Sequence, residues 1–381
     1  MRKRIGLLID SLIGGGAERI TLNFAETFAK LGHDVHVFIL KNEIHHVIDK
    51  NAYSIHILTE NGVLSKFKLV NKSLLKKTFI KAISNVENDG IKFDFFISSS
   101  EDFDRIAKLS RLPNIFIRYR NSMSEFILSK VGNKTGWKAK ERVWRHTLRH
   151  KSIYNHMNIV AITKAMQFDL CKKVGIKPKT ITTIYNPFDF AVIRERANKL
   201  VSNLPSAPYI IYAAKFENRK NHRLLIDAYY KANPKHLLVL IGDVYTASDH
   251  ETYENLKAQI HNLSLENRVI LAGFQKNPYP WIKNADLFVM SSNNEGLPTV
   301  LIESLILGTP VVSVDCPTGP SEILTGELAD YLSPVGDVDA LATNITKALQ
   351  HYPQIDDSLL AKFNSEYVAK QYIDHCTKQK N

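Results

Sequence analysis

Apolar residues follow two spacings along this chain. Residues 5–9 (IGLLI) form a short apolar run that ends near the glycine turn Gly14, Gly15 and Gly16. From there Ile20, Leu22, Phe24, Ala25, Phe28 and Leu31 recur at helical spacing as far as Gly32, and residues 35–40 (VHVFIL) form a second run. A short apolar run bounded by turn residues predicts a buried strand, and apolar positions three and four apart predict one face of a helix. Strand, turn, helix and strand in that order predict a parallel sheet. The same reading places strands at 93–98, 114–118, 159–162 and 180–184, so residues 1–188 form a doubly wound domain.

A polar, proline-containing stretch from Pro187 to Pro208 marks the boundary. Beyond it, strands at 209–214, 237–241, 269–271, 287–290 and 311–314 alternate with helices at 222–232 and about 251–263. Residues 189–358 are therefore a second parallel α/β domain. A last helix begins after Asp357 and runs to about His375, with Phe363, Tyr367, Val368 and Tyr372 near helical spacing. Residues 359–381 are thus expected to form a C-terminal helix packed on one of the domains, with the N-terminal one as a candidate.

At 44% hydrophobic and 23% charged residues, the composition is that of a globular protein and excludes wholesale disorder, collagen and coiled coil. No apolar run approaches the ~18 residues that span a bilayer. Cys171, Cys316 and Cys376 are far apart, so neither a disulfide framework nor a CxxC metal site is expected. The expected location is cytoplasmic. Charge is uneven: residues 1–188 hold 32 Lys and Arg against 16 Asp and Glu, whereas the remainder holds 18 against 22. The first half is built to meet something anionic, or at least to tolerate it.

Candidate chemistry concentrates in residues 291–304 (SSNNEGLPTVLIES), after the strand LFVM and before the strand VVSV. Open α/β sheets bind ligands at such carboxyl ends. Pro298 suits a first helical turn, so the helix is expected to start near Thr299. It is apolar nearly all round, yet Glu303 lies in its middle, where either a neighbouring Lys or Ser or a ligand hydroxyl must satisfy the carboxylate. Glu295 opens onto the same place. Backbone N–H groups of Gly296, Leu297 and Thr299, around Pro298, which has none, form a seat for a diphosphate. Lys215 and Lys220, just after the first strand of this domain, are solvated loop lysines or partners of that diphosphate.

The run from Glu295 to Glu303 within SSNNEGLPTVLIESLILGTPVVS resembles the signature of glycosyltransferase family 4, retaining enzymes of the GT-B fold. So do GGGAER at 14–19, YNPFD at 185–189, the segment from Lys215 to Lys220, AGFQKNP at 272–278 and CPTGPSEIL at 316–324. The resemblance implies two facing Rossmann-like domains with a cleft between them. It gives Glu295 the donor sugar's hydroxyls, Glu303 the nucleotide ribose, and Lys215 and Lys220 the departing diphosphate. Lys215 stands where the family often has Arg, which keeps the charge and loses the bidentate fork. Gly15 and Gly16 would let a loop approach phosphate or acceptor, and Phe274, Gln275 and Lys276 would lie beside the base. Where the family often has a His, this chain offers Arg118, Arg120 and Asn121, and Arg120 is a candidate contact for donor phosphate or an anionic acceptor. Asp102 and Asp104 match DxD by letters but lie in a polar first-domain stretch, and no metal or other cofactor is expected.

Two basic segments are left over. Residues 64–83 place Phe67, Val70, Leu74, Thr78 and Ala82 on one helical face among six lysines, and residues 130–151 hold eight Lys or Arg with Trp137 and Trp144. Each either packs on the first sheet with its lysines in water or lies on an anionic membrane. With no zinc spacing and no RNP-like motif, no nucleic-acid partner is expected. The function read from the chain is transfer of a hexose or N-acetylhexosamine from a UDP-sugar to a lipid-linked or lipopolysaccharide-type acceptor at the cytoplasmic face of the inner membrane. The alternatives are a UDP-sugar 2-epimerase of the same fold and a non-catalytic sugar-nucleotide binder.

Overall fold

A computed structural model describes residues 1–13, 16–46, 48–49, 51–132 and 135–378. The chain divides into two compact units, Met1–Pro187 with Lys362–Asn381, and Phe188–Ala361. Gly15 lies outside the described residues, as does Gly14.

The first unit holds seven strands: β1 (Arg4–Ile9), β2 (Asp34–Lys41), β3 (Ser54–Thr59), β4 (Phe95–Ser98), β5 (Ile115–Tyr119), β6 (Asn158–Ala161) and β7 (Thr180–Thr183). They run parallel in the order β3-β2-β1-β4-β5-β6-β7. Every residue of β1 is buried, because helices cover both faces of such a sheet and its strands read as continuous apolar runs. Gly6 is required in β1: a Cβ there would lie 2.2 Å from the Phe96 ring. One face carries a core of Phe38, Phe79, Phe96 and Phe103. The other packs Phe24, Phe28, Phe95 and Phe116 with Val368, Tyr372 and Cys376.

Those last three belong to the helix Ser365–Lys378, whose Tyr372 ring meets Phe24 edge-on at 4.9 Å. The expected single terminal helix is broken into Asp357–Leu360, a 3-10 turn Ala361–Phe363, and Ser365–Lys378. Asn364 restarts it, its side chain accepting from the backbone N–H groups of Glu366 and Tyr367 at 3.0 and 3.3 Å. Strand β3 escaped the sequence reading. It is a half-exposed edge strand interrupted by His56, so its apolar run is too weak to stand out.

The helix Lys68–Val86 corrects a second expectation. It buries Leu75, Phe79 and Ile83 rather than the predicted stripe. The true face is rotated about one residue from that stripe, which leaves Phe67, Leu69 and Val70 exposed at 76%, 82% and 49%. Trp137 and Trp144 on helix Gly136–Tyr154 are likewise exposed. No helix among the described residues is long and apolar enough to cross a membrane.

The second unit holds β8 (Tyr209–Ala213), β9 (Leu237–Ile241), β10 (Val269–Gly273), β11 (Leu287–Met290), β12 (Val311–Val314) and β13 (Leu332–Ser333), parallel in the order β10-β9-β8-β11-β12-β13. The strand order reverses between β8 and β11, the place where such sheets open a ligand crevice at their carboxyl ends.

Candidate functional site

Both loops that leave this reversal point are tied together by their own side chains. Tyr212, fully buried in β8, donates to the Lys220 carbonyl at 3.2 Å, and its hydroxyl lies 2.8 Å from that of Ser292. Ser291 donates to the same carbonyl at 3.1 Å, and the Asn293 N–H donates to the Arg219 carbonyl at 2.9 Å. Asn221 adopts a left-handed conformation (φ 47°) and caps the helix His222–Ala232 by accepting from the Leu224 N–H. The lysine before that cap is thereby fixed in direction.

Lys220 Nζ donates to Glu295 Oε1 at 2.5 Å, and Ser292 Oγ donates to the same oxygen at 2.6 Å. Arg219, which the sequence reading passed over, lies 3.6 Å from Glu295 Oε2 and pairs with Glu217 at 2.6 Å. The only sequence signal for it was the doubled base in RKNH. The Lys215 ammonium, in the same loop, lies 4.3 Å from the Tyr245 ring centroid. Of the two lysines, the structure joins Lys220 to Glu295.

After Glu295 the chain passes Gly296, Leu297 and Pro298 and enters the helix Thr299–Ile306, where six of eight residues are buried. The loop is held from behind by the segment 316–324. Thr318 donates to the Glu295 carbonyl, and Gly319 (φ 101°) sits so close that a Cβ would lie 2.4 Å from Pro298 Cδ and 2.8 Å from the Gly296 carbonyl oxygen. Only glycine fits there. Glu303 is buried at 7% exposure and accepts from the Tyr279 hydroxyl at 2.9 Å, while Arg196 lies 4.9 Å from the Tyr279 ring centroid. A tyrosine from the helix Tyr279–Lys283 is thus one partner of this carboxylate. In the loop after β10, Phe274 and Lys276 are exposed and Gln275 donates to the Ala272 carbonyl at 2.8 Å.

In the first unit, Gly16 opens the helix Gly16–Lys30, and nothing lies within 4 Å of a Cβ built there. Half-buried Arg120 and exposed Asn121 follow β5. They line a cavity of about 140 Å³ with Ser99, Ser100, Arg118 and His150. His150 comes from the far end of helix Gly136–Tyr154, and no motif in the sequence marked it. Asp102 and Asp104 part company: Asp102 is exposed and bonds Arg105, whereas Asp104 is buried with the Ser98 and Tyr154 hydroxyls 2.6 and 3.1 Å from its oxygens. Burial pushes the Asp104 carboxyl up to about 8. No three His, Cys, Asp or Glu among the described residues are placed to hold a metal.

Two family models cover most of the chain. The one described as Glycosyltransferase Family 4 matches residues 14–192, and the one described as Glycosyl transferases group 1 matches residues 195–362. The chain is 25% identical over 96% of its length to the N-acetylgalactosamine-N,N'-diacetylbacillosaminyl-diphospho-undecaprenol 4-alpha-N-acetylgalactosaminyltransferase of Campylobacter jejuni, covering 93% of that protein. It is 25% identical over 66% of its length to the lipopolysaccharide 1,6-galactosyltransferase of Escherichia coli, covering 70% of it. Among solved structures it resembles a glycosyltransferase from Rickettsia africae (TM-score 0.73, 16% identity, 100% of this chain and 99% of that one). It also resembles Anabaena HepE in complex with UDP and glucose (TM-score 0.69, 17% identity, 100% and 98%). These likenesses extend over both Rossmann-like units and show the GT-B fold.

Proposed function

We propose, because this chain belongs to the family 4 glycosyltransferases, that it moves a hexose or N-acetylhexosamine from a UDP-sugar to a lipid-linked or lipopolysaccharide-type acceptor with retention at the sugar carbon. The observation that carries this reading is the Lys220–Glu295 pair at the reversal point of the second sheet, four residues before the helix Thr299–Ile306. The donor diphosphate rests against the N–H groups of Gly296, Leu297 and Thr299 around Pro298, with Lys220 and Lys215 supplying charge. Glu303 takes the ribose and Glu295 the sugar hydroxyls. Phe274, Gln275 and Lys276 are assigned to the base, and Gly15 and Gly16 to the phosphate or acceptor.

As the bond from the sugar carbon to the diphosphate oxygen breaks, charge grows on that oxygen, and groups already aimed at it lower the barrier. The acceptor hydroxyl attacks the same face. Its oxygen bonds to the sugar carbon and its proton passes to the leaving phosphate oxygen. The cations and helix N–H groups neutralise the leaving group, so no metal or other cofactor enters this reading.

The enzyme is proposed to work at the cytoplasmic face of the inner membrane. Exposed Phe67, Leu69 and Val70 lie among Lys66, Lys68 and Lys72, and Trp137 and Trp144 are exposed on the second basic helix. Each lysine near an anionic leaflet contributes ~1 kcal/mol, and the apolar side chains add insertion. Incubation with UDP-sugars, with and without a lipid-linked acceptor, tests the reaction. The reading expects an acceptor-dependent α- or β-linked product with the donor's anomeric configuration. A 2-epimer, or unchanged donor with every acceptor, contradicts it.

A further inference from the structure

The two oxygens of Glu295 are engaged unequally. Oε1 accepts from Lys220 Nζ at 2.5 Å and from Ser292 Oγ at 2.6 Å. Oε2 accepts no hydrogen bond among the described residues and has only the guanidinium of Arg219, 3.6 Å away. A carboxylate oxygen offers two lone-pair directions, so Oε1 is filled and Oε2 is the one left to accept from a hydroxyl. At 3.6 Å the Arg219 contact is too long for a hydrogen bond and close enough for charge attraction. It orients the carboxylate without occupying it.

Arg219 is itself held in place. Its Nε donates to Glu217 Oε2 at 2.6 Å and its Nη1 to the Asn294 carbonyl at 3.3 Å. The Arg219 carbonyl accepts from the Asn293 N–H at 2.9 Å, and Asn221 Nδ2 donates to the Asn293 side-chain oxygen at 3.0 Å. The loop after β8 is thus tied to the loop after β11 on both sides of Lys220, and the guanidinium reaches Glu295 from a fixed backbone. With side chains 49% and 27% exposed, Arg219 and Glu217 fill no core. A planar guanidinium can pair Glu217 through Nε and face Glu295 through Nη1 at once, which an ammonium on a flexible stem cannot do.

We infer that Arg219 is a positioning residue for Glu295, holding the carboxylate with Oε2 open toward the donor sugar when Lys220 turns to the diphosphate, and that Glu217 fixes Arg219 for this task. The inference rests on the proposed function, which gives the sugar hydroxyls to Glu295 and the diphosphate to Lys220. Before the donor arrives, Lys220 and Arg219 balance Glu217 and Glu295. Once the diphosphate draws on Lys220, Arg219 and Ser292 are the groups that stay with the carboxylate.

The test is the rate of transfer by the whole protein from a UDP-sugar to a lipid-linked acceptor, with UDP affinity measured in parallel by calorimetry. Arg219→Met keeps the stem and is expected to lower kcat by about 10–10²-fold, the scale of a misplaced group in an active site. UDP affinity should stay within a few-fold of wild type, because a half-exposed ion pair contributes little to a ligand it does not touch. Arg219→Lys should recover part of the lost rate. In a Glu295→Gln background, adding Arg219→Met should lower the rate no further, since the group it positions has already been altered. A kcat for Arg219→Met within about twofold of wild type overturns the role. So does its full loss on top of Glu295→Gln, and so does a UDP affinity that falls as far as kcat, which makes Arg219 a diphosphate ligand instead. A wild type that transfers from no donor overturns the proposed function and this role together, whereas an active wild type with an equally active Arg219→Met overturns the role alone.

Discussion

Lys220 Nζ lies 2.5 Å from Glu295 Oε1, and the two side chains, 15% and 10% exposed, come from the loops after β8 and β11. Two oppositely charged groups so placed hold each other ready. In the proposed reaction, an arriving diphosphate would give the ammonium a second anion to serve and release the carboxylate toward the sugar hydroxyls.

Glu295→Ala is therefore expected to lower the transfer rate by about 10²–10³-fold, the usual effect of removing one preorganised group from a polar active site. The measurement is product formation per enzyme at saturating donor. A rate within a few-fold of wild type contradicts the role.

Tyr279 and Glu303 form a second coupled pair, with the hydroxyl 2.9 Å from the carboxylate. Tyr279→Phe removes one neutral donor to a charged group and should weaken UDP by about 1.5 kcal/mol, roughly tenfold. Glu303→Ala removes the proposed ribose contact itself and should weaken UDP more. Fluorescence titration with UDP orders the three proteins. Equal affinity in wild type and Glu303→Ala removes Glu303 from the site.

Asp104 predicts a pH effect whose sign follows from its environment. An unfolded aspartate loses its proton near ~3.9, whereas the buried one keeps it to about 8. Between those values the folded protein binds the extra proton. Its stability therefore falls as pH rises, by about 1.4 kcal/mol per unit, and levels off above pH 8. Asp104→Asn should remove that component of the slope. Denaturant unfolding at pH 5, 6 and 7 checks it, and parallel slopes for the two proteins contradict it.

Much of the second unit could be read from its residues. Strands 237–241, 287–290 and 311–314 are buried on both faces, so each appears as an unbroken apolar run, and Asn221 and Pro298 mark the starts of the helices that follow. What stayed hidden depends on tertiary contact. That Glu303 meets a tyrosine 24 positions upstream, or that His150 reaches the cavity beside Arg118, has no local signature. The face of helix Lys68–Val86 was misread because its first turns are not covered at all, and its buried stripe begins only at Leu75. Periodicity alone does not say where along a helix the core starts.

That uncovered first turn makes the membrane proposal specific. Phe67→Glu with Leu69→Glu should abolish cosedimentation with anionic vesicles at low salt and leave the melting temperature unchanged, since both side chains already face outward. Undiminished binding by this variant removes the helix from the membrane surface.

The most direct measurement is calorimetric titration of UDP into the wild type, Lys220→Ala and Glu295→Ala. The account predicts binding to the wild type, affinity reduced about tenfold or more in Lys220→Ala, and near wild-type affinity in Glu295→Ala. No binding to the wild type, or equal loss in both variants, contradicts it.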